Sequence, residues 1–127
     1  MSAIKDGRVA IDINGKTYHM LFSLNVLDAV QDKFGGYDTI DEKLKEDNKD
    51  MIKNVRWLFT LLLNEGRDED EPELTEQQVG KLLHVGNLAA VKGAIFDAFA
   101  YGAKGDEEVT EVDAGEGDEG NRESVQA

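Results

Sequence analysis

Residues 9–23 read Val9-Ala10-Ile11-Asp12-Ile13-Asn14-Gly15-Lys16-Thr17-Tyr18-His19-Met20-Leu21-Phe22-Ser23, and the rest of the chain is read from this stretch. Val9, Ile11 and Ile13 alternate with Arg8, Ala10 and Asp12, the period of two expected when one side of a strand is buried. Asn14-Gly15 follows, a pair that tolerates positive φ at both central positions of a type I′ turn. The return strand places Tyr18, Met20 and Phe22 on one face. A β-hairpin over residues 7–22 is therefore expected. A lone hairpin is marginal in water, so its apolar face must lie on other elements.

At Ser23 the period changes from two to about 3.6. Ser23 is a candidate N-cap for a helix in which Leu24, Leu27, Val30 and Phe34 share a face, with Gly35-Gly36 as its stop. A short charged helix over residues 38–46 has Ile40 and Leu44 as its apolar anchors. The next helix, residues 50–64, carries a stripe of Ile52, Val55, Phe59 and Leu62. Met51, Trp57, Leu58 and Leu61 widen that stripe until little of the girth is polar. Such a helix is central to a domain or meets a partner on its second face.

An acidic linker, residues 67–73, holds the single proline. After it, Thr75 and Gln78 fit a capping box, and Leu74 with Val79 fits a hydrophobic staple. A short helix is expected to about Leu83. Asn87 is then read as the cap of a last helix ending near Gly102, with Leu88, Val91, Ile95 and Ala98 on one face and Phe96 and Phe99 beside them. The expected fold class is mainly α: one small helical domain, residues 1–103, with the N-terminal hairpin. An acidic disordered tail, residues 104–127, completes the chain, since its apolar content is too low to offset the entropy of ordering.

Composition narrows the function. The 127 residues include 27 acidic and 14 basic side chains, a formal charge of −13, and no cysteine. A chain this acidic, without a basic stripe, repels a phosphate backbone, so no nucleic-acid partner is expected. Without cysteine there is neither a disulfide nor a thiolate zinc site. No apolar run reaches the ~20 residues of a membrane span, so no membrane partner is expected. Residues 1–13 carry no apolar core of a secretion signal, which points to the cytoplasm.

Motifs that could carry chemistry fail on spacing. An EF-hand loop started at Asp68 would put Glu73 where glycine is needed and Val79 where a bidentate glutamate is needed. Gly115, Gly117 and Gly120 spell a dinucleotide fingerprint, but no strand enters it and no helix leaves it. Carboxylates at Glu116, Asp118 and Glu119 would repel a pyrophosphate there. His19 and His84 have neither a metal-site spacing nor a base partner. Carboxylate pairs such as Asp38 and Asp41, or Asp47 and Asp50, fall in polar stretches where solvated side chains are the ordinary case. No enzyme, cofactor or metal site is expected.

What remains is surface for partners. Trp57, Leu58 and Leu61 on one helix, with Phe96, Phe99 and Tyr101 on the last, are the candidate contact residues. Core packing is the competing reading for all six. Two helices with wide apolar arcs in so small a domain leave a face for self-association or a client segment.

The order of these parts resembles the tail assembly chaperones of long-tailed bacteriophages, of the siphophage and prophage type. The resemblance covers about residues 8–103. It lies in the hairpin closing in Lys16-Thr17-Tyr18-His19-Met20-Leu21-Phe22, the helix closing in Phe34-Gly35-Gly36, the long apolar helix, the Leu74-Thr75 to Val79-Gly80 stretch, and the helix ending in Ala98-Phe99-Ala100. It implies a small factor of the host cytoplasm that coats the aggregation-prone tape measure protein. Such a factor is displaced as tail tube protein polymerises, and it is absent from the finished particle. The helices at residues 51–63 and 88–101 would border the client groove. The rival expectations are an acidic decoy mimicking DNA to inhibit a nucleic-acid enzyme, and a structural tail component.

Overall fold

The computed structural model describes residues 7–104. Apart from Lys104, the segment expected to be disordered, residues 104–127, falls outside the described residues. Strands β1 (Val9–Ile13) and β2 (Lys16–Met20) pair antiparallel, with Val9 opposite Met20, Ile11 opposite Tyr18 and Ile13 opposite Lys16. Asn14 at φ 54° and Gly15 at φ 83° make the expected left-handed turn. Ile13 and Met20 are buried, and Val9, Ile11 and Tyr18 pack against the same core. The apolar face of the hairpin thus finds its support inside the domain.

Helix α1 (Leu24–Phe34) starts at Ser23, whose hydroxyl accepts from the Val26 N–H at 3.3 Å. It stops at Gly35, at φ 91°, whose N–H donates to the Gln31 carbonyl. The face differs from the expected one. Val26 and Val30 are buried, while Leu24 is 80% exposed. At 100° per residue Leu24 lies roughly 160° around the helix from Val26, so the stripe begins two residues later than expected. A 3₁₀ turn at Tyr37–Thr39 leads into the short helix α2 (Ile40–Lys43), anchored as expected by buried Ile40 and Leu44.

Helix α3 (Met51–Gly66) is the centre of the fold. It packs against β2, α1 and both later helices. Val55, Leu58, Phe59, Leu62 and Leu63 are buried along it. Its polar residues tie down the loops around it. The Asn54 amide donates to the Lys43 carbonyl at 2.9 Å, holding the end of α2. Asn64 donates to the Leu74 carbonyl at 2.9 Å and accepts from the Leu74 N–H at 2.8 Å, so both edges of one amide clamp the far end of the acidic linker. Ile52, expected on the buried stripe, is 54% exposed, because it lies in the first turn at the rim of the core.

The end of α3 is fixed against the hairpin. The Leu21 N–H donates to the Leu62 carbonyl at 3.1 Å. Arg8 donates to the Gly66 carbonyl at 2.9 Å and to Asp68 at 2.8 Å, placing a cation where the helix leaves carbonyls without partners. Ser23 closes the same region by donating to Glu65 at 2.5 Å.

Helix α4 (Glu76–Leu82) carries the expected capping box: the Gln78 N–H donates to Thr75 Oγ1, and the Thr75 N–H donates to Gln78 Oε1. Val79 is buried and Leu74 packs against the core. A 3₁₀ turn at Val85–Asn87 enters helix α5 (Leu88–Lys104). Here the expectation for Asn87 is corrected. Its side chain accepts from the His84 N–H and donates to the Leu82 carbonyl, so it ties the turn backwards instead of capping α5 forwards. Val91, Ile95, Ala98 and Phe99 are the buried face of α5. Among the described residues no single helix is long and apolar enough to cross a membrane.

Candidate functional site

The six expected contact residues do not form one surface. Leu58 is 0% exposed and Phe99 6% exposed; both belong to the core and offer nothing to a partner in this state. Core packing wins for this pair because α3 and α5 are the helices around which the domain closes. Leu61 is half-buried against the same core. Phe96 is half-buried and lines a shallow cavity of about 160 Å³ with Asp38, Ile40, Asp41 and Phe99. Tyr101 is half-buried near the end of α5.

Trp57 faces a different cleft. Its indole meets Phe34 edge-on, with ring centroids 5.4 Å apart, and the Lys33 ammonium lies 5.0 Å from the indole centroid. The Lys43 ammonium lies 5.8 Å from the Phe34 ring, so two cations and two aromatic rings form one run. The cleft beside Trp57 is lined further by Asp50, Lys53, Asn54, Arg56 and Glu76 and encloses about 330 Å³. Three cations and two carboxylates face it.

The apolar cleft lies on the other side of Arg56. Ile52, Gly80, Leu83, His84, Val85 and Leu88 line a volume of about 210 Å³, with Arg56 as its polar wall. It forms where the first turn of α3 meets the end of α4 and the first residue of α5. Val85 is 94% exposed at its lip. The turn carrying Val85 is pinned: the His84 ring accepts from the Gly86 N–H at 3.1 Å, and Asn87 accepts from the His84 N–H. Gly80 lies close to the arginine wall: a Cβ there would be 3.2 Å from the Arg56 side chain, which would have to shift by a few tenths of an ångström.

The two clefts therefore share Arg56, whose guanidinium is 3.8 Å from Glu76 in a loose, half-exposed pair. The combined surface is an apolar trough continued by a cationic, aromatic one. Sequence reasoning found Trp57 but missed Ile52, Leu83, Val85 and Leu88 as a surface. The available signal was Val85, an aliphatic residue between His84 and Gly86 that belongs to neither helical period. Such a residue in a turn has no core position to fill.

The histidines are far apart in role: His19 belongs to β2 and His84 caps a turn. Among the described residues no group of three potential metal ligands occurs. Set against protein-family models, curated proteins and solved structures, the chain matches none.

Proposed function

We propose that the chain is a phage tail assembly chaperone that covers helical, apolar stretches of a tape measure protein and helps bring tail tube subunits to it. The reading rests on the resemblance in element order and motifs over residues 8–103. The structural observation that supports it is the apolar cleft with Ile52 and Val85 exposed at its edge. An amphipathic helix docks through residues spaced by three and four, and a trough between three helix ends accepts such anchors.

The size of the cleft suits a reversible coat. Fully burying a valine- or isoleucine-sized side chain is worth about 1.5–3 kcal/mol, so one cleft holds one segment weakly. Many copies along one rod gain avidity without tight single contacts, which permits stepwise displacement by tube protein. The charge of −13 keeps a coated rod soluble and self-repelling.

The test is a pull-down of the tagged full chain from cells carrying its neighbouring tail genes, with mass spectrometry of what is retained. The expected result is a long helical tape measure protein, with tube protein as a weaker companion, and no copy of the chain in purified particles. Retention of a DNA-processing enzyme alone, released as salt is raised, would replace this reading with the decoy. Recovery of the chain in finished particles would make it a structural part.

A further inference from the structure

We infer that the shallow cavity between α2 and α5 is a docking site for an arginine side chain of a basic partner protein. The inference does not depend on the chaperone reading, because the cavity shares no residue with the apolar cleft. Three observations carry it: the apolar floor of the cavity, the two carboxylates at its rim, and the lack of any cation beside them among the described residues.

The cavity encloses about 160 Å³ and is lined by Asp38, Ile40, Asp41, Phe96 and Phe99. Ile40 is 3% and Phe99 6% exposed, so the floor is backed by the core. Phe96 is half-buried, while Asp38 and Asp41 are exposed. The two aspartates stand three residues apart, where the 3₁₀ turn runs into α2, a spacing that brings side chains to one side of a helical turn. The result is an aromatic, apolar hollow with a negative rim.

That rim is uncompensated. Among the described residues neither carboxylate has an ion-pair or hydrogen-bond partner. No base lines the cavity, and Lys43, the base on α2 itself, has its ammonium 5.8 Å from the Phe34 ring instead. An anion is repelled here. A purely aliphatic side chain would cover the carboxylates and return nothing for their lost hydration. An inorganic cation lacks ligands, since no third metal-binding side chain joins the pair among the described residues.

The ligand that fits has an apolar stem and a cationic head. Arginine fits better than lysine. Its stem packs on apolar surface, its planar guanidinium stacks on aromatic rings, and its fork of donors serves both carboxylates at once. The lysine ammonium is a compact, strongly hydrated point charge. The arginine belongs to a different protein, because a net charge of −13 on each chain opposes a second copy and steers a basic surface inward.

The experiment titrates the full chain with the blocked tripeptide Ac-Gly-Arg-Gly-NH2 at low salt and follows it by NMR. The expected result is saturable shifts at the amides of Asp38 to Asp41 and the ring protons of Phe96. The same tripeptide with citrulline, the neutral analogue of arginine, should leave these signals in place. The full-length variant D38N/D41N, with unchanged circular dichroism, should bind about tenfold more weakly, the loss of charge-assisted hydrogen bonds. Shifts of equal size at the acidic linker, residues 67–73, would overturn the inference by reducing it to general charge attraction. Equal binding of the citrulline peptide, equal binding by D38N/D41N, or no saturable shift at Phe96 would overturn it as well. Calcium chloride reproducing the Phe96 shifts would also do so, by making the pair a simple cation site.

Discussion

Gly66, at the end of α3, lies directly against the His19 carbonyl of β2: a Cβ on Gly66 would overlap the oxygen and carbon of His19 and the carbonyl carbon of Met20. The obstacle is backbone on both sides, so no flexible side chain can move aside. Gly66→Ala should cost about 2–3 kcal/mol, the upper part of the range for forced overpacking. Urea unfolding followed by circular dichroism measures it. A loss below about 0.5 kcal/mol, the range of ordinary surface substitutions, would show that the helix and hairpin are not held this closely.

Asn64 should matter nearly as much, although its amide touches only backbone. Asn64→Ala removes both hydrogen bonds to Leu74 and should cost about 2 kcal/mol, one net bond on each edge. Hydrogen exchange at the Leu74 amide should accelerate ahead of exchange in α3, because the linker end is released first. Unchanged exchange at Leu74 would contradict the clamp.

Thr75→Ala tests the capping box alone. The threonine side chain is exposed, so the loss is the cap itself, about 1 kcal/mol. Gln78→Ala removes the reciprocal bond and should cost less than the sum when the two are combined, since each half supports the other. Additive losses in the double variant would show that the two bonds act separately.

Two charge substitutions separate fold from surface. Leu58→Asp buries a carboxylate at a fully enclosed position and should unfold the domain, well beyond 4 kcal/mol. Val85→Glu changes a residue that is 94% exposed and should leave stability within about 0.5 kcal/mol. Thermal unfolding of both variants checks this. A large loss at Val85 would mean the cleft is part of the core and is not an open surface.

The elements legible in the sequence were those written in local chemistry. Asn14-Gly15, Ser23, Gly35 and the Thr75–Gln78 pair each act within a few residues, and each does what its type favours. Arg8 on Gly66, Asn64 on Leu74 and Ser23 on Glu65 were illegible, because their partners are set by folding and not by spacing. Leu24 and Ile52 were misplaced for one reason. Both stand in the first turn of a helix, where an apolar residue fits a periodic stripe on paper while its neighbours, Val26 in α1 and Met51 in α3, are the ones that meet the core. Of the candidate site, Trp57 was legible as a large ring on a helix with little polar face. Val85 was missed, although an aliphatic residue outside both helical periods already marks a side chain with no core position to fill.

The most direct test of the account is co-expression of the full chain with a tape measure protein, followed by measurement of the soluble tape measure fraction. The wild-type chain should keep it in solution and elute with it. Paired Ile52→Glu and Val85→Glu substitutions, on a domain with unchanged circular dichroism, should return it to the pellet. A tape measure protein that stays insoluble with the wild-type chain would contradict the proposed function. One held equally well by the substituted chain would contradict the cleft as its seat.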